Sequence, residues 1–285
     1  SPGVSSYGAA IRSCEHSPCW SQALELLQDL HASKLRSTVI VHSSAMTSCL
    51  KGSWQASLEL FAEMQRSEMQ LDAIACSIAV SACEQGEQWE QALHIFASMP
   101  LSNTHQDVIR YSTAIGACSK SKRWAEAAHL FDDMRNAMLN PDCMAYNCVI
   151  RACGMAKQWV QALDYFADLQ LSELQVEICS YNAAISACER GRQWERSLQL
   201  LSDLKQSEMS PDPITYSAAI NACGRCQQWQ EALQLFHSLA QLGLQPDSTA
   251  FRAAINACGY GSEWQAALQI LSEAIHATGV QEDRN

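Results

Sequence analysis

Cysteine and histidine have the widest chemical range of the residues in this chain, which holds fourteen of the first and eight of the second. Thiolates and imidazoles ligate metals, and a thiolate beside an imidazole makes a nucleophile. Their spacing argues against both uses. Cys223 and Cys226 form a C-x2-C, but no second pair stands at zinc spacing. Cys143, Cys148 and Cys153 have four residues between successive members, which fits helix faces better than a metal cluster. The histidines are scattered, and none begins the H-x-E…C-x-x-C signature of a nucleobase deaminase. No phosphate loop, nucleophile elbow or carboxylate pair is present. The chain is expected to carry no catalytic residues, no metal site and no cofactor.

Most of the cysteines have a positional meaning instead. Cys14, Cys83, Cys118, Cys153, Cys188, Cys223 and Cys258 fall in one column of a periodic pattern. The same period governs the tryptophans, at residues 20, 54, 89, 124, 159, 194, 229 and 264. The first gap is 34 residues and the next six are 35. A fixed period of this size over the whole length means one supersecondary unit repeated eight times and stacked as a solenoid. Equivalent positions in stacked helices lie about 8–10 Å apart, beyond the roughly 7 Å that a disulfide spans. The cysteine column is therefore read as free, buried thiols, and a reducing compartment follows.

The units run 4–37, 38–72, 73–107, 108–142, 143–177, 178–212, 213–247 and 248–282. In 178–212, Tyr181, Ala184, Ile185 and Cys188 share one face of a helix expected over Ser180–Glu189. Gly191 marks a break, and Trp194, Ser197, Leu198, Leu201 and Leu204 share a face over Trp194–Gln206. A Pro-containing segment closes the unit. An aromatic opens the first helix at Tyr7, Tyr111, Tyr146, Tyr181, Tyr216 and Phe251, with Val41 and Cys76 in its place elsewhere. A small residue follows each Trp by three positions, from Ala23 and Ser57 to Ala267, and a bulky one stands four further on, from Leu27 and Phe61 to Leu271. All these columns, the Trp column included, are expected to be core. The fold class is all-α: a right-handed α-solenoid superhelix of eight helix–turn–helix repeats with a concave groove.

Hydrophobic residues make up 48% of the chain, enough to fill a seam between stacked units, while no apolar run approaches the roughly 20 residues a membrane span needs. A net charge of −11 argues against an indiscriminate polyanion binder but leaves room for a local basic groove. Neither end has a targeting pattern or a clear polar capping helix, so a longer parent protein is expected.

The segments YSTAIGACSKSKRWAEAAHLFDDMRNAMLNPD and YSAAINACGRCQQWQEALQLFHSLAQLGLQPD combine a Tyr-Ser opening, a central Ala-Leu-x-Leu-Phe type run and a closing Pro-Asp. On these motifs and the 35-residue period, the whole chain resembles the pentatricopeptide repeat family. The Trp column departs from that family's usual aliphatic and points to a divergent lineage.

The resemblance implies sequence-specific binding of single-stranded RNA, one base per repeat. Two side chains per repeat would read the base edge: the residue after the opening aromatic and the last of the unit. These are His42 with Asp72, Ser77 with Asp107, Ser112 with Asp142, and Asn147 with Glu177. Asn182 with Asp212, Ser217 with Asp247, and Arg252 with Glu282 complete the set. The short first repeat, with Gly8 and Ser37, reads nothing. A carboxylate accepts from ring N–H groups, which guanine and uracil present; a small hydroxyl leaves room for a purine, and an Asn amide favours a pyrimidine. From the N-terminus the array reads two undefined bases, G, G, a pyrimidine, U, G, and one undefined base. His42, Arg252 and the two Glu endings fall outside the common combinations. Two residues before the aromatic stand Val39, Ile74, Ile109, Met144, Cys179, Ile214 and Thr249, which in the family sandwich the bases; an ordinary apolar helix start is the alternative.

Eight of nineteen Lys and Arg fall in the turn between helices: Lys51, Lys120, Lys122, Arg123, Lys157, Arg190, Arg192 and Arg225. All but Lys51 are candidate phosphate contacts. The alternative is a solvated turn whose cations complement the C-terminus of the first helix. Two functions remain open. One is an RNA-binding adaptor for transcripts of mitochondrion or plastid, acting in processing, stability, editing or translation. The other is a protein-interaction scaffold within a large organellar ribonucleoprotein complex such as a ribosome.

Overall fold

The computed structural model describes residues 3–14, 19–33, 37–67, 69, 71–98, 105–207, 209–242, 244, 246 and 248–278. The described elements are sixteen α-helices. Eight open the repeats: α1 (Val4–Cys14), α3 (Val39–Leu50), α5 (Ala73–Gln85), α7 (His105–Lys120), α9 (Cys143–Met155), α11 (Ile178–Arg190), α13 (Pro213–Arg225) and α15 (Ser248–Tyr260). Eight return: α2 (Trp20–Ala32), α4 (Trp54–Arg66), α6 (Trp89–Ala97), α8 (Trp124–Asn136), α10 (Trp159–Leu171), α12 (Trp194–Gln206), α14 (Trp229–Gln241) and α16 (Trp264–Thr278). The tryptophan is the first residue of every return helix. No described helix is long and apolar enough to cross a membrane.

Two compact units are formed, Ser1–Cys148 and Val149–Asn285. In the first, α1, α3, α5 and α7 pack in file, and each of α2, α4 and α6 also touches the opening helix that follows it. In the second, α11, α13 and α15 pack in file, with α10, α12 and α14 bridging forward in the same way. The chain is thus an α-solenoid of helix–turn–helix repeats.

The turn inside each hairpin has a fixed chemistry. Glu87, Lys122, Lys157, Arg192, Gln227 and Ser262 all hold positive φ, between 54° and 64°. Each stands one past the C-cap. The next amide returns to the cysteine column: Gln88 to Cys83, Arg123 to Cys118, Gln158 to Cys153 and Gln193 to Cys188, all at 2.9 Å. These six-to-one bonds are Schellman caps, which satisfy carbonyls the helix end would leave unpaired. The cysteine column is buried as expected, with Cys83, Cys118, Cys153, Cys188, Cys223 and Cys258 at 0% exposure, and no disulfide joins the described cysteines.

Between repeats, a return-helix Phe meets the aromatic of the next opening helix edge to face. Phe96 with Tyr111, Phe131 with Tyr146 and Phe166 with Tyr181 have ring centroids 4.7, 4.8 and 5.0 Å apart. Such pairs contribute about 0.5–1.5 kcal/mol each beyond their burial.

The Trp column differs from expectation: none of it is fully buried. Trp20, Trp54, Trp159 and Trp229 lie on the turn of the following hairpin, against Gly52, Gly86, Gly191 and Gly261. A Cβ added at Gly86 would sit 2.7 Å from the Trp54 ring, and one at Gly191 2.5 Å from Trp159. At these glycines a Cβ would displace the ring that rests there. The Arg123 guanidinium covers the Trp89 ring at 4.2 Å. In the last described hairpin Trp264 is 65% exposed and Leu271 45%, so these members of the two columns are also not core.

The opening helices approach closely at glycine. A Cβ on Gly154 of α9 would stand 2.9 Å from the Cβ and 3.0 Å from the Cα of Ala187 in α11. Neither atom can retreat without moving its helix. Gly154→Val is expected to cost about 1–3 kcal/mol; denaturant unfolding measures it, and an unchanged midpoint would show that the helices shift freely.

Candidate nucleic-acid interface

Asp ends a repeat and begins the next opening helix, and that position gives it two roles. Asp72 Oδ1 accepts from the Ala75 amide at 2.7 Å, Asp142 Oδ1 from Ala145 at 2.8 Å and Asp212 Oδ1 from Thr215 at 2.7 Å. These are N-caps, each contributing about 1 kcal/mol. At Asp212 a reciprocal bond from the Asp212 amide to Thr215 Oγ1 completes a capping box, with Pro213 as the first helical residue.

Two of these carboxylates meet the residue after the opening aromatic of their own repeat. Ser112 Oγ lies 2.9 Å from both Asp142 Oδ1 and the Val108 carbonyl, and Asn182 Nδ2 lies 3.3 Å from Asp212 Oδ2. Thr215 ties the second pair together, its Oγ1 2.6 Å from both Asn182 Oδ1 and Asp212 Oδ1. Sequence reading overlooked Thr215, although its place three residues into a capped helix was a usable signal.

The other expected pairs are placed differently. Asp107 lies inside the first turn of α7, not before it, and is 2% exposed against the Arg110 guanidinium at 3.3 Å. Ser77 donates to the Ala73 carbonyl, and Ser217 to the Pro213 carbonyl with Thr249 Oγ1 3.3 Å away. His42 is buried, its Nδ1 2.9 Å from Ser37 Oγ, and burial lowers its pKa despite the nearby Glu63 carboxylate. Asn147 is half-buried, while Glu177 and Arg252 are exposed. Glu177 precedes α11 without capping it and accepts from the Cys179 thiol. Asp247 and Glu282 lie outside the described residues.

Beside these polar groups runs an exposed apolar column. Ile74, Ile109, Met144 and Ile214 are 57, 45, 61 and 59% exposed. Cys179 is also exposed, and Val39 and Thr249 are half-buried. Large aliphatics so placed leave water only when something covers them. Ile74 and Ile109 border one hollow of about 320 Å³ with Ser77 and Thr113 in its lining. Apolar walls with a hydroxyl between them suit a flat aromatic ring carrying polar edges.

The cationic turn is only partly available. Lys120 pairs with Glu84 at 3.2 Å, Arg225 with Glu189 at 3.3 Å, and Arg123 with Glu126. Glu189 is largely buried, which raises its pKa, while Arg225 opposes the rise. Lys122, Lys157, Arg190 and Arg192 are exposed. Three of these four hold the left-handed turn position or flank it, so their side chains project from a rigid cap.

The family description "PPR repeat family" matches residues 106–155 and 176–225, and "PPR repeat" matches 144–173 and 214–244. No curated protein matches the sequence. Among solved structures, the pentatricopeptide repeat protein PPR10 in complex with an 18-nt psaJ RNA element is similar at TM-score 0.86 and 14% identity. That likeness covers 98% of this chain and 41% of PPR10, so the chain spans well under half of its relative's length. PPR10 from maize gives TM-score 0.65 and 19% identity, covering 95% of this chain and 44% of the other. The PPR domain of Arabidopsis thaliana protein-only RNase P 1, in complex with tRNA, gives 0.51 and 14% identity, covering 60% and 89%. With sixteen described helices, the 35-residue period and these repeat matches together, the chain belongs to the pentatricopeptide repeat family.

Proposed function

We propose that this chain binds single-stranded RNA along its opening helices, one base per repeat, and acts on transcripts of mitochondrion or plastid in processing, stability, editing or translation. The observation that carries the reading is the coincidence of two columns: capped carboxylates paired with Ser112 or Asn182, and exposed aliphatics such as Ile74 and Ile109 beside them. One supplies hydrogen-bonding edges and the other supplies faces. The RNA-bound relatives support the choice of ligand, and the organellar setting is that of the family. The mechanism is occupancy: a bound segment is shielded from nucleases, held unfolded, or presented to a partner protein.

Repeats 4 to 7 carry the preference, because Asp107 of repeat 3 is buried against Arg110. Titration of the purified chain with RNA containing G-pyrimidine-UG, against a scrambled control and across a salt series, tests this. Selective binding that weakens as salt rises is expected, since each released counterion adds to the salt slope. Equal binding to both RNAs removes the base reading. Absence of binding at low salt removes RNA altogether and leaves a protein-binding scaffold.

A further inference from the structure

Two histidines depart from the repeat pattern and meet in space. No other repeat carries histidine at the position of His31 or at that of His42. His31 lies in the last turn of α2, His42 in the first turn of α3, and Glu63 in the last turn of α4. One ligand atom from each lies within 4.8 Å of the others. His31 Nδ1 is 3.7 Å from Glu63 Oε1, close to the about 3.3 Å separating ligand atoms around a tetrahedral zinc-type ion with bonds of about 2.0–2.1 Å. The imidazole centroids are 5.7 Å apart.

The buried ring is held for ligation. His42 Nδ1 lies 3.3 Å from the Thr38 carbonyl, which can only accept; the tautomer protonated at Nδ1 donates to it and leaves the Nε2 lone pair for a metal. Ser37 Oγ supports the same nitrogen. A backbone carbonyl behind one imidazole nitrogen is the arrangement that orients metal-binding histidines. His31 and Glu63 border a cleft of about 310 Å³ between α2 and α4, which leaves one side open to water.

We propose that His31, His42 and Glu63 bind one divalent transition cation of the zinc and cobalt class, with water as fourth ligand. Imidazole with a single carboxylate favours such ions over magnesium or calcium. The ion would clip three consecutive helices and remove His42 from base reading.

Cobalt(II) titration of the purified chain tests the site and separates it from the cysteines. Expected are one equivalent bound, visible d–d absorption without a thiolate-to-cobalt charge-transfer band, and a higher melting temperature with metal. His31→Ala and Glu63→Gln, both at partly exposed positions, should each weaken binding by more than about tenfold while leaving the metal-free melting temperature in place. A charge-transfer band, undiminished affinity in His31→Ala, or no binding by the unaltered chain would each overturn the assignment.

Discussion

Raising the pH from 9 to 11 should strip this protein of most of its stability. Burial pushes Cys49, Cys76, Cys83, Cys118, Cys153 and Cys188 up to about 11, and Cys223 to about 12, from an ordinary value of 9.0. A thiol that folds with a raised pKa contributes stability that is whole below its unfolded pKa. As pH climbs through 9 the unfolded chain sheds its protons first and gains population, until the folded thiols also ionise near 11. Two units correspond to about 3 kcal/mol per thiol. Several such groups acting together are of the same order as the roughly 5–15 kcal/mol by which domains are stable. Circular dichroism against pH under reducing conditions should show a cooperative loss over this window. The double variant Cys118→Ala, Cys188→Ala should be weaker at neutral pH yet less steep in alkali. A melting temperature that stays level from pH 9 to 11 would show that the thiols ionise in place.

Asp142→Asn should change which base repeat 4 prefers, by about tenfold or more, with the fold intact. Asp142 Oδ1 takes both the Ser112 hydroxyl and the Ala145 amide. An Asn side-chain oxygen can keep both, because Asn caps helices as well as Asp does. What changes is the remaining atom, from an acceptor for a purine ring N–H to a donor. Preference should move from guanine to adenine, whose ring nitrogen accepts there, at the cost of one unmade bond of about 1–3 kcal/mol for the original base. Asp142→Ala loses the cap as well, about 1 kcal/mol in melting experiments. If Asp142→Asn binds the same RNA with the same affinity, the carboxylate is a cap and nothing more.

The repeat architecture was legible because period, Trp and Cys positions, and turn residues all point the same way. The helix expected over Ser180–Glu189 runs as Ile178–Arg190, extended at its start by the turn that Glu177 precedes. The Trp column misled because size and hydrophobicity read as core, whereas the ring at the start of a return helix overhangs its own hairpin and can only cover the next one. Asp107 was misplaced because α7 begins before it, at His105, so a repeat-end aspartate became a helix-interior one paired with Arg110. The turn cations were read from composition alone, which is blind to Glu84 and Glu189 standing one repeat away. The meeting of His31, His42 and Glu63 was invisible for the same reason. His31 and Glu63 lie outside the columns singled out for base reading, and only the packing of α2, α3 and α4 makes them neighbours of His42.

The tryptophan resting on the next turn and the phenylalanine on the next aromatic both reach toward the C-terminus, never back. The Trp and Phe of each hairpin are therefore covered only once the next hairpin is made. During synthesis the chain would emerge with its earlier repeats closed and a single trailing hairpin whose Trp and Phe still lack the surface they cover. Folding can keep pace with translation one repeat at a time, because no repeat waits for a partner far along the sequence.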